Sequence, residues 1–388
     1  MKIVDVRATP LSARCEPPYA SAGGFLSARG ALLVEIETDA GLTGIGEAGP
    51  GGGASASVIE RQLRSLLVGE DPLMIEALWQ KMFARTRQFG RRGLVLNAIS
   101  GIDIALWDIA GKAAGLPLYK LFGAARERVE VYASGGFYED GKSIDALAAE
   151  AEGYRARGFR GMKMKVGRNP STGAHLRHLV GEAERCEVDP EEDIARVAAV
   201  RRAFGPKAKL MVDANCAWSP AFAIQMGRAF EPYGLYWIEE PVATDDIEGS
   251  AAVAAALATP IAGYETETGL YGFRELIQRG AVDIVQPDLA WSGGFSECRR
   301  IAALAQAHHR MVAPHAFAGA VLLAASLHFM ASIPNGLVLE FDQTANPLRD
   351  ELLKQPIALG ADGTIAPPQR PGLGIEIDAA ALARYRAG

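Results

Sequence analysis

From about residue 129 the chain alternates short apolar runs with longer segments in which apolar residues recur every three or four positions. The apolar runs predict strands, and the periodic segments predict helices. Eight consecutive strand–helix units predict parallel strands with right-handed crossovers, closed into a (β/α)8-type, modified TIM barrel of the α/β class. The eight apolar runs are 129–134, 161–166, 209–214, 235–240, 260–265, 282–287, 310–315 and 336–341.

A doubly wound open sheet is the alternative arrangement of the same alternation. Such a sheet is expected to carry a glycine-rich dinucleotide fingerprint after its first strand, and none follows 129–134. Polar candidates also lie on nearly every strand instead of at one switch point. We therefore expect the closed barrel.

The first 125 residues have a different pattern, which mixes strands and helices. Residues 1–11 and 31–48 alternate in the manner of antiparallel strands, the second run with a turn at 39–41. Helical periodicity follows over 56–86 and 93–122. This block is of the α+β type. We place the boundaries at 1–125 for this N-terminal domain, 126–345 for the barrel and 346–388 for a C-terminal segment that returns to the N-terminal domain.

Composition and charge narrow the function classes. The chain has 388 residues, 49% of them hydrophobic, which is enough for a large core. Its net charge of −6 argues against a nucleic-acid binder, which carries a basic stripe. The four cysteines form no C-x-x-C pair, so we expect a reducing, cytoplasmic compartment. No signal peptide and no apolar run of membrane length are evident, so we expect no membrane partner. We also expect a homo-oligomer.

Eight charged positions lie at or just after the ends of the apolar runs. From the third onward their spacing is nearly constant, at 26, 26, 23, 27 and 25 residues, the length of one strand–helix unit. The carboxyl ends of barrel strands share one face, so these side chains are expected to converge there into an active site. The eight are Lys163, Lys165, Asp213, Glu239, Glu265, Asp288, His315 and Glu340.

Three of these positions are carboxylates on successive strands. Asp213, Glu239 and Glu265 would repel one another if left unpaired, and a hard divalent cation resolves that repulsion. Ligation by oxygen alone favours Mg²⁺ over zinc. Each acid taken singly is more typical of a cap or an ion pair, so the prediction depends on the matched spacing. Glu240 is only the second choice as a ligand, because strand alternation points its side chain to the face opposite that of Glu239. Asn215, two residues after Asp213, is a candidate substrate contact.

Two lysines and one acid–histidine pair are candidates for proton transfer. Lys163 and Lys165 are two apart in one apolar run, so they share a face and point into the barrel. Their like charge and burial are expected to lower the lysine pKa, as a lysine base requires. Surface lysines on an edge strand are the alternative, but a closed barrel has no edge. Asp288 and His315 end adjacent strands, where the carboxylate can orient the imidazole and raise its basicity.

Glu340 and one long interval each leave two interpretations open. Glu340 ends the eighth strand and either stays protonated, donating a hydrogen bond to a developing oxyanion, or forms a salt bridge with one of the two lysines. The interval from Lys165 to Asp213 is 48 residues, about twice the others, because it contains a polar insertion over 168–193. The insertion is either a solvated surface loop, which we favour, or a substrate lid.

Together these residues resemble the enolase superfamily, in particular its mandelate racemase subgroup, over nearly the whole chain. The resemblance implies a capped barrel that binds Mg²⁺ through the three successive carboxylates. The muconate-lactonizing subgroup is disfavoured, because it carries a lysine on the sixth strand and 283–294 contains none. The motifs that carry the resemblance are KMK at 163–165, VDAN at 212–215, IEEP at 238–241, the acid of GYET at 265, QPD at 286–288, GG at 293–294 and PH at 314–315.

The resemblance also implies roles for the remaining positions. Lys165 would be one base, and His315 with Asp288 would be the second, on the opposite face of the substrate. Lys163 would bind the substrate carboxylate. Glu340 would assist the enolate.

Other stretches look like acid-sugar enzymes, especially galactarolactone cycloisomerases and sugar-acid dehydratases. We therefore expect abstraction of the proton α to a carboxylate in a sugar acid or its lactone, followed by dehydration or lactone-ring-opening cycloisomerisation. A racemase or epimerase on the same scaffold and a non-catalytic ligand-binding barrel are the alternatives. One departure from the family pattern is Tyr264, which replaces a small residue in Gly-Tyr-Glu. Selectivity is expected to come from two cap loops, 17–29 and 46–56.

Overall fold

The computed structural model describes residues 1–50, 52–169 and 187–387. The cap begins with an antiparallel sheet in the order β1-β2-β3. β2 and β3 meet at the predicted turn, whereas the pairing of β1 with β2 continues as far as Ser21 and Gly24. The segment 17–29, expected as a loop, is therefore a β-hairpin. The three strands are β1 (Ile3–Ser21), β2 (Gly24–Thr38) and β3 (Thr43–Ala48).

The helical part of the cap packs on this sheet. The predicted helix over 56–86 is broken, because Gly69 and Pro72 fall between its two halves. The predicted helix over 93–122 is also interrupted, because α4 ends at Gly115, whose φ of 68° is left-handed. The helices are α1 (Gly52–Val58), a π-helical turn (Ile59–Leu63), α2 (Arg64–Leu67), α3 (Ile75–Thr86), α4 (Leu94–Ala114) and α5 (Leu118–Leu121).

Helix α4 lies at the centre of the cap. Glycine is required at position 46 of β3, because a Cβ there would lie 2.0 Å from the carbonyl oxygen of Gly101 in α4. Among the described residues, α4 is the one helix that is long and apolar enough to cross a membrane by length and composition. However, 83% of the most apolar 18-residue window of this helix is buried inside the protein, as is typical of the core helix of a globular domain.

Eight parallel strands follow and form the predicted barrel. Each overlaps its predicted run, and their order in the sheet is β10-β9-β8-β7-β6-β5-β4-β11. A parallel bridge between Val312 and Gly336, just before β11, joins the two ends of the sheet. The strands are β4 (Val129–Ser134), β5 (Gly161–Lys165), β6 (Lys209–Asp213), β7 (Trp237–Glu239), β8 (Ile261–Gly263), β9 (Ile284–Val285), β10 (Met311–Val312) and β11 (Leu339–Asp342).

Helices connect the strands on the outside of the barrel. Several begin at a side-chain cap, as where the Ser219 hydroxyl accepts the N–H of Phe222 and Pro220 occupies the first turn. They are α6 (Ile144–Ala156), α7 (Pro190–Phe204), α8 (Pro220–Phe230) with a 3₁₀ turn (Glu231–Tyr233), α9 (Ile247–Ala256), α10 (Gly269–Gln278), α11 (Gly294–Ala307) and α12 (Ala320–Ser332).

The C-terminal segment contacts both the cap and the barrel. Its β12 pairs antiparallel with the start of β4, and Arg386 forms a bridge with Leu11 of β1. Residues 170–186 of the predicted insertion lie outside the described residues. The choice between a lid and a surface loop falls on these residues and stays a prediction. The elements of the C-terminal segment are α13 (Pro347–Asp350), β12 (Thr364–Ile365) and α14 (Ala379–Tyr385).

Candidate active site

Two layers of side chains fill the barrel. The lower layer is apolar and consists of Tyr132, Met211, Trp237, Ala262, Ile284, Ala313 and Val338. Side chains two positions apart on a strand point to the same side, so the residue two positions after each of these seven is also expected to face the barrel interior. In six of the seven cases that residue is polar and lies near the carboxyl end of the barrel. The six are Ser134, Asp213, Glu239, Gln286, His315 and Glu340.

The exception among these segments explains the departure at Tyr264. Here the two-residue step from Ala262 reaches the tyrosine, which is fully buried. Its hydroxyl donates a hydrogen bond of 2.9 Å to the Ser250 hydroxyl in α9. Glu265 therefore follows one residue later and lies at the mouth of the cavity.

Lys163 lies at the centre of the polar layer and is 1% exposed. Its ammonium group contacts the carboxylate of Glu239 directly, and it lies 3.0 Å from Glu340 and 3.6 Å from Asp213. Burial lowers the pKa of Lys163, but the attraction of Glu239 and Glu340 outweighs it and holds the pKa well above the ordinary value. The expectation of a lowered lysine pKa is wrong here, because carboxylates from other strands surround the ammonium group.

Lys165 lies one layer closer to the mouth of the barrel. Its ammonium group contacts the Asp213 carboxylate and lies 5.1 Å from the ring centre of Phe137. Burial lowers the pKa of Lys165, but the attraction of the Asp213 carboxylate outweighs burial, so the pKa is raised above its ordinary value. For Asp213, burial raises the pKa and the two lysines outweigh that, so its pKa is lowered. In this arrangement both lysines are cationic.

Glu239 and Glu265 lie in a crowded group of acids. Burial raises the pKa of Glu239 to about 7, against the attraction of Lys163, and neighbouring carboxylates add to the rise. The Trp237 indole N–H and the Gln286 amide each donate a hydrogen bond of 2.9 Å to the same Glu239 oxygen. Burial also raises the pKa of Glu265. Carboxylates that are held with raised pKa values are positioned to gain from a bound cation.

Glu240 does not follow the strand alternation from which its direction was predicted. It comes just after β7 and has a left-handed φ of 43°, so the period of two no longer holds there. Its carboxylate accepts the backbone N–H of Glu265 at 3.0 Å. Glu240 therefore lies beside Glu265 instead of on the opposite face. Burial, together with repulsion from Glu265, raises its pKa well above the ordinary value.

His315 and Asp288 form the predicted pair. The Nδ1 atom of His315 lies 2.6 Å from the Asp288 carboxylate, and its Nε2 atom lies 3.2 Å from Glu265. The other Asp288 oxygen accepts the N–H of Ala290 at 2.6 Å, which fixes the carboxylate. Burial lowers the pKa of His315, but the surrounding carboxylates, Glu265 first, raise it to about 10. Asp288 thus orients the ring and presents Nε2 to the cavity.

Glu340 forms the salt bridge that was the second interpretation of its role. Its carboxylate lies 3.0 Å from the Lys163 ammonium group and accepts the N–H of Ala316 at 3.0 Å. Burial raises its pKa, but Lys163 and His315 outweigh that effect and hold the pKa well below its usual range. Of the two interpretations that the sequence left open, the structure therefore supports the salt bridge and not the protonated form.

Lys165 and His315 line one cavity of about 390 Å³ beneath the cap. Asn215 lies on its wall, in a left-handed conformation with φ of 44°, and its backbone N–H donates to Asp213 at 2.9 Å. A larger cavity of about 590 Å³ lies elsewhere, between α3 and α10. Both cap segments from which selectivity was expected line this cavity, 17–29 through Ser21, Leu26 and Arg29 and 46–56 through Pro50. The lining residues that the sequence reasoning missed include Phe137, Trp291 and Phe317.

One missed residue had a signal in the sequence and most of the others did not. Gln286 is polar within the apolar run 282–287 and stands two positions after an inward residue, which is the spacing of the other site residues. Phe137, Trp291 and Phe317 are aromatic residues of the loops after β4, β9 and β10, and their approach to the cavity is a tertiary contact that no local pattern records.

The fold defines the class of protein as a (β/α)8-type barrel enzyme with an α+β cap. Two family models match the chain, described as the mandelate racemase / muconate lactonizing enzyme N-terminal domain, over residues 3–123, and the enolase C-terminal domain-like family, over residues 146–381. The chain belongs to the mandelate racemase/muconate lactonizing enzyme family of the enolase superfamily, whose members are lyases and isomerases.

Relatives with known names agree with this assignment. The chain is 39% identical to D-galactarolactone cycloisomerase from Agrobacterium fabrum, over 100% of this chain and 99% of the relative. It is 39% identical to arabinonate dehydratase from Saccharolobus solfataricus, over 92% and 90% of the two chains. Among solved structures, a racemase from Streptomyces coelicolor with bound magnesium superposes with a TM-score of 0.88 at 33% identity, over 99% of this chain and 100% of that one.

Proposed function

We propose that this protein is a Mg²⁺-dependent lyase or isomerase that acts on a sugar acid or its lactone. It would remove the proton α to the carboxylate and expel the oxygen on the β-carbon. Dehydration and lactone-ring-opening cycloisomerisation are the same β-elimination, with water or the ring oxygen as the leaving group. The named relatives, a lactone cycloisomerase and a sugar-acid dehydratase, support this substrate class.

The observation that carries the proposal is the placement of two proton-transfer groups around one cavity. Lys165 and His315 come from strands β5 and β10 and both line the same space. One group can remove the α-proton, and the other can donate a proton to the departing oxygen from the other side of the substrate. Asp288 keeps the imidazole oriented throughout. Lys163 supplies positive charge where the enediolate develops, and Glu340 holds Lys163 in place.

The donor chemistry of the site fits Mg²⁺. Carboxylates outnumber cationic side chains in the described part of the site, and the surplus negative charge favours a divalent cation. The buried oxygens Asn215 Oδ1 and Gln286 Oε1 have no hydrogen-bond partner, so they are free to accept one. The carboxyl groups concerned are Asp213, Glu239, Glu240, Glu265, Asp288 and Glu340, and the cationic groups are Lys163, Lys165 and His315.

We assign the cation to Asp213, Glu239 and Glu265. Among the described residues no group of three His, Cys, Asp or Glu side chains is closely enough arranged to hold a metal ion as it stands. The lysine ammonium groups contact two of these carboxylates, Lys163 that of Glu239 and Lys165 that of Asp213. When bound, Mg²⁺ would supply Lewis-acid stabilisation of the substrate carboxylate. A weaker pairing of Lys165 with Asp213 would also lower the lysine pKa, as the base needs.

Two further assignments belong to the same proposal. Asn215 is proposed to contact the substrate, because its Oδ1 atom is unpartnered and the residue lines the cavity. We also propose that the chain works as a homo-oligomer, with the capping domain, barrel and C-terminal segment divided at 125 and 345.

The test is a screen of sugar acids and their lactones with Mg²⁺. We expect at least one to be turned over, and Lys165→Ala and His315→Ala each to reduce kcat by about 100-fold or more. Chelation with EDTA should abolish turnover, and added Mg²⁺ should restore it. Lys207→Ala and His308→Ala change exposed residues away from the site and serve as matched controls.

The same screen can contradict the proposal. Full turnover in both Lys165→Ala and His315→Ala would exclude the two-base mechanism. Exchange of the α-proton with solvent, without loss of water or opening of a ring, would instead identify an epimerase.

A further inference from the structure

Glu47 belongs to β3 of the cap, yet its carboxylate caps a helix of the barrel. One oxygen accepts the N–H of Gly319 at 2.6 Å, and the other accepts the N–H of Leu322 at 2.9 Å. These donors lie in the first turn of α12, where no side chain of the helix's own N-cap residue provides a cap. Glu47 is 0% exposed, so these hydrogen bonds are shielded from solvent.

The helix that Glu47 caps begins just after the candidate base. Only three residues separate His315 from Gly319, and Phe317 between them lies with its ring centre 6.3 Å from that of His315. A second cap residue holds the same loop, because the Arg29 guanidinium lies 3.6 Å from the ring centre of Phe317. Arg29 is itself fixed by a buried ion pair of 2.9 Å with Asp342 of β11.

The loop of the orienting acid is also bonded to the cap. The N–H of Gly49 donates to the carbonyl of Ala290, two residues after Asp288, at 2.9 Å. The N–H of Gly293 donates to the Ser100 hydroxyl of α4 at 2.8 Å. Both halves of the acid–histidine pair therefore lie in loops that the cap holds.

Lys165 is held in a different way. Its carbonyl accepts the Arg196 guanidinium at 3.2 Å, and the same guanidinium donates to the carbonyl of Gly136 at 3.1 Å. Arg196 is on helix α7, and Gly136 follows β4, so both belong to the barrel. The cap also contacts this side, through two backbone hydrogen bonds between Ala20 of β1 and Tyr138, so the two bases differ in which cap strand lies beside them.

We propose that Glu47 is a positioning residue for His315 and Asp288, because it fixes the start of α12 beside this base and makes no such contact beside Lys165. The catalytic part of this inference rests on the proposed function. A shift of about 1 Å in a reacting group can cost about 100-fold in rate. Loosening the start of α12 should therefore impair proton transfer on the His315 side of the substrate alone.

Two substitutions test the contact from its two sides. Glu47→Gln keeps the size of the side chain, but only the amide oxygen can accept a hydrogen bond and the NH₂ group cannot. One of the two backbone N–H groups therefore loses its partner. Gly319→Ala adds a Cβ that would lie 2.7 Å from a Glu47 oxygen and displace the carboxylate. The Gly319 backbone, with φ of −94°, is allowed for alanine. Glu35→Gln, in the neighbouring strand of the same sheet, is the matched control.

The first readout requires no substrate. The proton on His315 Nδ1, bonded to Asp288, should give a far-downfield proton NMR resonance that disappears in Asp288→Asn. We expect this resonance to shift or broaden in Glu47→Gln and Gly319→Ala but not in Glu35→Gln, with all variants folded by circular dichroism. An unchanged resonance in both test variants would overturn the inference.

The second readout separates positioning from general loss of structure. Exchange of the α-proton in D₂O is measured for two sugar acids that are epimers at the α-carbon, with Lys165→Ala and His315→Ala identifying the base for each. Glu47→Gln should slow exchange about 10- to 100-fold on the His315 side and less than about 3-fold on the Lys165 side. Equal losses on both sides would show a purely structural role. If the wild-type protein exchanges no sugar acid, the proposed function fails, and the NMR result still decides the positioning role.

Discussion

Lys163 and Glu340 are both buried, and both are charged, with their side chains 3.0 Å apart. From burial and like charge, the sequence predicted a lowered lysine pKa, and for Glu340 it left open either a protonated acid or a salt bridge with a lysine. The lysine prediction was wrong, and the structure supports the salt bridge of Glu340, for one reason. The closest neighbours of each group come from other strands, so the sign of the pKa shift depends on which charges the fold brings together.

Asp288 allows a test at the scale of one residue. Asp288→Asn should reduce kcat by about 100-fold or more, because the amide cannot stabilise the imidazolium and can hold the ring in the wrong tautomer. Turnover of the sugar acid identified in the substrate screen is the measurement. Asp283→Asn changes an acid at the other end of β9, where it pairs with Arg310, and should leave kcat within about 2-fold. Equal losses in the two variants would argue against a specific role for Asp288.

At the scale of elements, the end of β5 depends on the first turn of α7. Asp193 accepts hydrogen bonds from the Tyr138 hydroxyl at 2.7 Å and from the Gly167 N–H at 2.9 Å. It also pairs with Arg196 at 2.9 Å, and Arg196 in turn binds the Lys165 carbonyl. The sequence predicted the strand, but it placed the first turn of this helix within the polar insertion. It gave no sign that acid and arginine, three residues apart, would be buried and hold the strand end.

Breaking this buried pair should cost stability. Arg196→Met leaves Asp193 buried without its cation and removes two donors to backbone carbonyls. We expect the free energy of unfolding to fall by about 3–5 kcal/mol, measured by urea denaturation. Arg202→Met, on the exposed side of the same helix, should change it by no more than about 0.5 kcal/mol. A small effect from Arg196→Met would mean that water or a neighbouring side chain replaces the arginine.

At the scale of the whole molecule, His328 joins three separate segments. It lies in α12 of the barrel, its Nδ1 atom accepts the N–H of Tyr119 in α5 at 3.2 Å, and its Nε2 atom is 3.1 Å from the carbonyl of Leu373. Because Tyr119 donates, Nδ1 carries no proton, and Nε2 donates to the carbonyl. Burial lowers the pKa of His328 to about 4.

The lowered pKa predicts a loss of stability in acid. Between the ordinary value of 6.5 and about 4 the unfolded chain binds a proton at His328 that the folded protein does not. The contribution of neutral His328 is therefore complete above pH 6.5 and falls toward pH 4, at up to about 1.4 kcal/mol per pH unit. His328→Gln can keep both hydrogen bonds without titrating.

Comparison with this variant isolates the histidine. Buried Glu47 and Asp103, each with a pKa raised to about 7, act in the opposite direction, since their stabilisation is present at low pH and is lost as the pH rises through 7. They contribute equally to both proteins, so the difference in unfolding free energy reports on His328. A difference that does not change between pH 7 and pH 4.5 would contradict the assignment.

The sequence by itself determined the barrel, the strands and the face on which the eight charged residues lie. The apolar periodicity and the regular spacing are local properties of the chain, so they can be recognised without knowing which strands pair with one another. The tertiary structure decided the left-handed turn that brings Glu240 beside Glu265, the salt bridge of Glu340, and the cap residues Glu47 and Arg29 that hold the His315 loop. These features depend on groups far apart in the chain, whose distance, burial and charge exist only after the cap closes on the barrel.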